Sequence, residues 1–186
     1  MEEFESIKKQ IKSGTILVLD LDGTLIDLGV NWLALKSELE NYCKKNYGAV
    51  SFSRLYSGLE EAKNQFGTKL YDKLIKIIEK HELDNKNYRP NDELISYVNN
   101  IENKIVIYSM NTSNCIKSFV KKYLNNKPII VISKETCLEN KPTNKDLLEI
   151  INKLNVNKKD VLFIGNSRDD LLSGEYSGIK TYLINF

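Results

Sequence analysis

The sequence has few cysteines and a single histidine, and this scarcity excludes several kinds of site. Cys43, Cys115 and Cys137 lie far apart without a CxxC pair, and His81 is the only histidine among 186 residues. These counts argue against a Cys/His zinc site and against a disulfide framework. Cysteines without such a framework are typical of reducing compartments, so we expect a cytoplasmic location. His81 lies at the expected end of a helix, where a surface role is favoured over a catalytic one.

Long hydrophobic runs and a strong excess of one charge are also missing. The longest apolar runs have strand length, which is too short to cross a bilayer. The N-terminal MEEFESIKKQ has an acidic, helical pattern, unlike a secretory signal. The net charge is +2, and the paired lysines are scattered along the chain. We therefore expect neither a membrane nor a nucleic-acid partner.

Five short apolar runs are present, and they predict a sheet. They are rich in Ile and Val and mostly lack polar alternation, as is typical of strands buried on both faces. The runs are TILVLD (15–20), KIVIYS (104–109), PIIVIS (128–133), DVLFIG (160–165) and KTYLI (180–184). Helix-sized polar/apolar segments separate the last four, at 112–124, 143–155 and 168–178. This alternation predicts an α/β fold with a five-stranded parallel sheet flanked by helices, whose strands end at one common edge.

The stretch between the first two runs interrupts this alternation. It contains no run typical of a strand, and its apolar residues recur at helical spacing. Thr68 is placed to cap its last helix, and a further helix at 91–100 belongs to the sheet domain. We therefore predict a small all-helical insert at 28–88, lying over the strand edge, within a domain formed by 1–27 and 89–186.

Polar side chains follow several of the predicted strands. In VLDLDGTLID, Asp20 and Asp22 come directly after the first run, where paired carboxylates are costly unless a positive group lies between them. Because the carboxyl ends of parallel strands meet at one edge, we expect the residues after different strands to lie together. These residues are Asp20, Asp22, Ser109, Lys141, Asn166 and Asp170. Each is weak evidence alone, and their convergence points to a site.

Taken in order, these residues resemble the motifs of the haloacid dehalogenase-like (HAD) superfamily. Asp20-Leu21-Asp22-Gly23-Thr24-Leu25 is similar to the first motif, Ser109 to the second, Lys141-Pro142 to the third and residues 165–170 to the fourth. Asp27 further resembles the phosphoglycolate phosphatase and β-phosphoglucomutase branch. The resemblance covers the whole chain. It implies a Rossmann-like core domain with the helical insert as a cap after the first strand.

The resemblance also implies catalytic roles. Asp20 resembles the nucleophile that attacks phosphorus and forms an aspartyl-phosphate. Asp22 resembles the general acid for the leaving oxygen and then the base for the attacking water. Ser109 would donate to a phosphoryl oxygen, and Lys141 would balance the charge of the phosphoryl group and of Asp20.

Three further residues are candidates for contacts around the substrate. Thr24 is a candidate substrate-binding residue, and its side chain can also hold Asp22 by a hydrogen bond. Asn111 follows Ser109 at the same strand end. Arg54 is the single arginine of the insert, and it is a candidate contact for an anionic part of the substrate.

Mg²⁺ is the cofactor that the resemblance implies. It would bind Asp20, the main-chain carbonyl of Asp22 and the fourth motif. One position departs from the family pattern, because Asn166 stands where an aspartate is usual and so lacks a negative charge. Asp170 matches the second acid of the motif, and Asp169 either shares that role or stabilises the next helix N-terminus. We therefore expect weakened Mg²⁺ binding and retained activity.

These observations favour a Mg²⁺-dependent phosphatase that hydrolyses a small phosphorylated metabolite. A phosphomutase on the same scaffold is the nearest alternative, and a cap that excludes water would favour it. A non-enzymatic regulatory or binding protein is a third hypothesis, motivated by Asn166. A receiver-type phosphoacceptor domain is disfavoured, because it would carry its aspartate on a later strand and lack the insert. The physiological ester and the oligomeric state are not predicted.

Overall fold

The structure is a computed structural model that describes residues 2–84, 87–125 and 127–185. The chain divides into two compact units, one formed by Met1–Leu28 with Tyr88–Phe186 and the other by Gly29–Asn87. We call them the sheet unit and the helical unit. Within the described residues, no helix combines the length and the apolar character needed to cross a membrane.

The secondary structure alternates between strands and helices except in the helical unit. In chain order the elements are α1 (Glu2–Lys8), β1 (Ile16–Leu19), β2 (Ile26–Asp27), α2 (Trp32–Asn46), α3 (Leu55–Phe66), α4 (Thr68–Leu83), β3 (Arg89–Pro90), α5 (Asp92–Asn100), β4 (Ile105–Tyr108), α6 (Ser113–Tyr123), β5 (Ile130–Ile132), α7 (Lys145–Leu154), β6 (Val161–Gly165), α8 (Arg168–Ser177) and β7 (Lys180–Leu183). Each predicted apolar run contains one strand, and each predicted helix of the sheet unit is present.

The five longer strands form one sheet in the order β5-β4-β1-β6-β7. All neighbouring pairs are parallel, which confirms the predicted sheet. Every residue of β1, β4 and β6 is buried, and this burial explains why their sequences lack polar alternation. Because the strands are parallel, the residues after β1, β4 and β6 lie at one edge of the sheet.

One face of the sheet forms a core with α7. Side chains two residues apart on a strand point to the same face. The cluster accordingly takes alternate residues from three strands together with apolar residues of α7: Ile16, Val18, Val106, Tyr108, Val161, Phe163, Leu147, Ile150 and Ile151. Two large aromatic rings, Tyr108 and Phe163, are therefore buried beside the edge that carries the polar residues.

The helical unit consists of α2, α3 and α4, as expected of an all-helical insert. Asn31 caps α2 through its side-chain oxygen, which accepts from the Ala34 N–H at 3.0 Å. The predicted capping role of Thr68 is wrong, because Gly67 occupies the cap position and Thr68 is the first helical residue. Gly67 has φ +83°, a left-handed conformation that favours glycine and that joins α3 to α4 within one residue.

The prediction that no strand lies between β1 and β4 is also wrong. The short strands β2 and β3 pair antiparallel, with Ile26 opposite Pro90 and Asp27 opposite Arg89. Arg89 Nη2 is 2.6 Å from Asp27 Oδ2, so an ion pair accompanies the backbone pairing. Two residues are too few to show a period of two in the sequence, and this ribbon therefore left no strand pattern.

Candidate active site

Lys141 joins the ends of β1 and β4 to the first turn of α8 at the carboxyl edge of the sheet. Its Nζ donates to Asp20 Oδ1 at 2.8 Å, to Asp170 Oδ1 at 2.7 Å and to the main-chain oxygen of Tyr108 at 2.8 Å. The side chains of Lys141, Asp20 and Asp170 are only 4%, 10% and 2% exposed. The structure therefore brings together three of the predicted residues, with both carboxylates on one ammonium.

Asp20 is held at the end of β1 by its backbone and by the turn that follows. Its N–H donates to the Ile164 carbonyl at 3.0 Å, which continues the pairing of β1 with β6. The Thr24 hydroxyl donates to Asp20 Oδ2 at 3.4 Å, so the predicted bond from Thr24 to Asp22 is replaced by one to Asp20. Thr24 is wholly buried, which favours a supporting role for it over the predicted contact with substrate.

Asp22 lies next to Asp20 in a more open position. It is half-buried, and its Oδ1 accepts the Leu28 N–H at 2.8 Å. Burial raises the pKa of the Asp22 carboxyl, the Leu28 hydrogen bond opposes this effect, and the nearby Asp27 carboxylate adds to it. A carboxyl whose pKa is raised holds its proton more readily than an exposed aspartate does, which is the direction that a general acid requires.

The pKa values of Asp20 and Asp170 shift in opposite directions, although both carboxylates bind the Lys141 ammonium. Burial raises the pKa of Asp20 to about 6, Lys141 opposes this rise, and Asp170 adds to it. Burial alone would raise the pKa of Asp170, but Lys141 and Ser167 together hold it below its ordinary value. Burial alone would lower the pKa of Lys141, but the two carboxylates hold it above its ordinary value. One cation thus serves two buried anions, and the excess negative charge favours a further cation.

Asp170 also caps the helix on which it lies. Its Oδ2 accepts from the Asn166 N–H at 3.2 Å, the Ser167 N–H at 3.0 Å and the Ser167 hydroxyl at 2.6 Å. Ser167 Oγ in turn accepts the Asp170 N–H at 3.2 Å, which completes a capping box on α8. Sequence reasoning missed Ser167, although a serine followed three residues later by an acid is the known pattern of a capping box. Asp169, the alternative acid, is exposed.

Asn166 is packed against the turn of the first motif. The glycine at 23 has φ +80°, and a Cβ built there would lie 2.0 Å from Asn166 Nδ2. Only a residue without Cβ allows both the turn and this approach. The structure therefore places the Asn166 amide beside the loop that carries Asp20 and Asp22.

Ser109 and Asn111 form a hydrogen-bonded pair after β4. Ser109 Oγ donates to Asn111 Oδ1 at 2.7 Å, and the Ser109 N–H donates to the Ile132 carbonyl at 3.0 Å. Both side chains are buried, and Ser109 directly follows the residue whose carbonyl accepts from Lys141. The two residues therefore lie at the same strand edge as Lys141.

Arg54 belongs to the helical unit, where it is exposed and directly precedes α3. Its contact with a substrate stays a prediction.

The oxygen donors at this edge fit Mg²⁺ in kind. Within the described residues, Asp20 Oδ2 accepts the long Thr24 bond. The Asn166 amide lies against Gly23 of the first motif, and the Asp22 main-chain carbonyl would be a further neutral oxygen. Both oxygens of Asp170 accept hydrogen bonds, from Lys141 and within the capping box, and its direct ligation of Mg²⁺ stays a prediction. No group of three or more His, Cys, Asp or Glu arranged to hold a metal occurs among the described residues. Asn166 supplies a neutral amide where an aspartate would add a negative charge, and the weakening of Mg²⁺ binding stays a prediction.

Comparison with known proteins agrees with this arrangement. The family model of haloacid dehalogenase-like hydrolases matches residues 17–184, which is nearly the whole chain. No protein of curated function matches the sequence at a significant level.

Solved structures share the fold at low sequence identity. A predicted phosphoglycolate phosphatase of Haemophilus somnus is 14% identical with a TM-score of 0.63, and the match covers 92% of this chain and 85% of that one. A HAD-superfamily hydrolase of subfamily IA from Geobacter sulfurreducens is 16% identical with a TM-score of 0.57, covering 91% and 88%. A protein assigned as a β-phosphoglucomutase in Thermotoga maritima is 15% identical with a TM-score of 0.56, covering 92% and 86%. The sheet, the insert and the matched motifs agree: the chain belongs to the haloacid dehalogenase-like hydrolase family.

Proposed function

We propose that this hydrolase is a cytoplasmic, Mg²⁺-dependent phosphatase that acts on a small phosphorylated metabolite through an aspartyl-phosphate. The observation that carries the proposal is the position of Asp20. Its carboxylate is buried at the end of the central strand, bound by Lys141 through one oxygen and close to a second carboxyl group at Asp22. A nucleophile, a cation and a proton donor are the groups that two-step phosphoryl transfer requires.

In the first step, Asp20 Oδ2 forms a bond to phosphorus while the bond from phosphorus to the ester oxygen breaks. Asp20 must be ionised for this attack, and its ion pair with Lys141 favours the charged form. Asp22 gives its proton to the leaving oxygen, so that the alcohol departs neutral. Burial raises the pKa of Asp22, which favours its protonated form relative to an exposed aspartate.

In the second step, Asp22 takes a proton from water, and the water oxygen attacks phosphorus. The acyl-phosphate bond breaks, inorganic phosphate leaves, and Asp20 returns as a carboxylate. The Ser109 hydroxyl, which donates to Asn111, would turn to a phosphoryl oxygen. Lys141 remains beside Asp20 throughout and balances the charge that develops on the phosphoryl group.

Asp20, the Asp22 main-chain carbonyl and Asn166 would hold the Mg²⁺. When bound, this ion offsets the excess negative charge of the site and orients the phosphate ester. The exposed Arg54 of the helical unit is proposed as a contact for a second anionic group of the substrate.

Release of inorganic phosphate tests this function. Purified protein is incubated with a panel of phosphate esters, including phosphoglycolate and sugar phosphates, over a wide range of Mg²⁺ concentrations. We expect release from at least one ester, and we expect Asp20→Asn to abolish it because an amide cannot form the acyl-phosphate. Absence of release from every ester at every Mg²⁺ concentration would refute the phosphatase and leave the non-enzymatic hypothesis.

A phosphomutase is the second candidate, and the fold shared with the Thermotoga maritima protein favours it. In this case the phosphoryl group passes from Asp20 to a sugar hydroxyl and not to water. Incubation with glucose 1-phosphate separates the two activities. Glucose 6-phosphate without inorganic phosphate would indicate the mutase, whereas inorganic phosphate alone would indicate the phosphatase.

A further inference from the structure

The ammonium of Lys141 is bounded by two aromatic rings as well as by its three acceptors. Its Nζ lies over the ring of Tyr108, 4.3 Å from the centroid, and 5.2 Å from the centroid of the Phe163 ring. The two rings contact each other, with centroids 5.9 Å apart and planes inclined by 35°. We call the side chains of Tyr108 and Phe163 the aromatic seat.

The aromatic seat is fixed by the core of the sheet unit. Tyr108 is the last residue of β4, Phe163 lies within β6, and both side chains are 0% exposed. They pack in the same cluster with residues of α7 such as Leu147 and Ile150. Closely packed interiors do not yield easily, so the rings stay where the core holds them.

A lysine needs such support to act at a defined point. Its ammonium is carried on a flexible four-carbon chain, and an ion pair alone leaves that chain free to move. A ring face attracts a cation, and the attraction is strongest when water is excluded. Lys141 is 4% exposed, so its contacts with the rings are made in the absence of bulk water.

We propose that the aromatic seat positions Lys141 between Asp20 and Asp170, and that Tyr108 and Phe163 are positioning residues of the proposed phosphatase. The inference rests on the proposed function for its effect on catalysis, but the position of the ammonium can be tested without it. Tyr108 contributes twice, because its main-chain carbonyl also accepts from Lys141 at 2.8 Å. A side-chain substitution removes the ring and leaves that carbonyl in place.

The ring of Tyr108, and not its hydroxyl, is the functional part. The Tyr108 hydroxyl is buried beside Ser173, and among the described residues it makes no well-aligned hydrogen bond. Replacing it with hydrogen removes a poorly satisfied buried hydroxyl and keeps the ring face over which Lys141 lies. Tyr108→Phe and Tyr108→Leu therefore form a matched pair that separates the ring from the hydroxyl and from general core packing.

NMR of protein labelled with ¹³C-lysine tests the position directly and needs no substrate. Protons above a ring face are shifted upfield, and four exposed or half-buried lysines, Lys8, Lys63, Lys122 and Lys180, also lie over rings. We therefore expect an upfield-shifted Cε–Hε signal that is assigned to Lys141 by its disappearance in Lys141→Met. Tyr108→Phe should keep this signal upfield, and Tyr108→Leu should return it towards the other lysines. An unshifted Lys141 signal in the wild-type protein, or an equal position in the Phe and Leu variants, would overturn the proposal.

Steady-state kinetics on an ester hydrolysed by the wild-type protein test the consequence. We expect Tyr108→Leu to lower kcat about tenfold with KM changed less than about twofold, and we expect Tyr108→Phe to restore kcat. Phe163→Leu, whose ring is farther from Nζ, should lower kcat by a smaller factor. Phe119→Leu is the control, because it removes a buried ring of α6 that packs on Tyr123.

The outcomes distinguish the inference from the proposed function. If Phe119→Leu lowers kcat as much as Tyr108→Leu does, the effect is due to loss of core packing in general. This result would overturn the positioning role of Tyr108 and Phe163. A fall for Tyr108→Phe equal to that for Tyr108→Leu would assign the effect to the hydroxyl and overturn it as well. If no ester is hydrolysed by the wild-type protein, the proposed function fails, and the NMR signal still decides whether the rings hold Lys141.

Discussion

Lys141 and Asp20 are 121 positions apart in the sequence, and the Lys141 ammonium donates to Asp20 Oδ1 across 2.8 Å. The remaining protons of the ammonium are directed to Asp170 and to the Tyr108 carbonyl. Asp20 consequently keeps one oxygen for attack while the other is bound by a fixed cation. Substitutions at Lys141, at Asp20 and in the surrounding packing test these roles of the two Asp20 oxygens.

Lys141→Met should abolish most of the activity. The change removes the only cation bound to Asp20 in the described structure and leaves Asp20 and Asp170 without their shared partner. Loss of such an electrostatic contact lowers kcat by about 10²- to 10³-fold. Single-turnover measurement of aspartyl-phosphate formation checks it, with Lys145→Met, an exposed lysine paired with Glu139, as the control. Wild-type kcat in Lys141→Met would contradict the proposed role.

Asp20→Asn should stabilise the metal-free protein at neutral pH, and the gain should shrink in acid. The pKa of Asp20 is raised to about 6 in the folded state, so the folded protein binds this proton more tightly than the unfolded chain does. The ionised Asp20 carboxylate therefore costs stability that is recovered as the pH falls from about 6 to 4, up to about 3 kcal/mol. Asparagine has no such titration.

Thermal unfolding with a chelator present, from pH 8 to pH 4, measures this effect. The difference in stability between Asp20→Asn and the wild-type protein should decrease steadily over that range. Asp169→Asn, a change at an exposed aspartate of the same edge, serves as the control. A difference that stays constant with pH would show that Asp20 does not carry the cost.

Gly23→Ala should destabilise the protein more than Gly14→Ala. Both glycines have positive φ, at +80° and +83°, so alanine costs about 1–2 kcal/mol in backbone strain at either position. A Cβ at position 14 meets nothing within 4 Å, whereas one at position 23 would lie 2.0 Å from Asn166 Nδ2. The free energy of unfolding in urea should therefore fall further for Gly23→Ala. If Asn166→Gly in the same chain relieves none of the excess, the Asn166 contact is not its cause.

Asn166→Asp should lower the Mg²⁺ concentration that gives half-maximal activity, by about tenfold. The substitution keeps an oxygen beside the first motif and adds a negative charge where the amide is neutral. Activity titrated with Mg²⁺ measures the shift, and Asp169→Asn should leave the requirement unchanged. An equal Mg²⁺ requirement in Asn166→Asp and the wild-type protein would show that position 166 does not govern the metal.

The sequence could predict the elements whose pattern is continuous. Strands such as β1 and β6 are buried on every residue, and this environment leaves an uninterrupted apolar run. The convergence of Asp20 and Lys141 also followed from topology, since parallel strands end at one edge. The strands are predicted from long apolar segments and the convergence from the topology of the sheet. The position of a single side chain does not alter either prediction.

Contacts that depend on one hydrogen bond were not predictable. The choice of Thr24 between Asp20 and Asp22 is decided by the shape of the turn, because both carboxylates are within two residues of each other. Asp170 both contacts Lys141 and takes part in a capping box. The sequence motif predicts an acidic residue at this position but neither of these contacts. In the sequence, Tyr108 is one more residue of an apolar strand, so its position beneath the Lys141 ammonium could not be predicted.

The ribbon formed by β2 and β3 has a consequence for how the chain can be altered. Asp27 and Arg89 stand opposite each other, so the chain leaves the sheet unit and returns to it at neighbouring points. A short hairpin turn would span that gap, and segments whose ends are this close are readily exchanged or lengthened. The helical unit can therefore be exchanged or lengthened as a single module while the sheet unit stays unchanged.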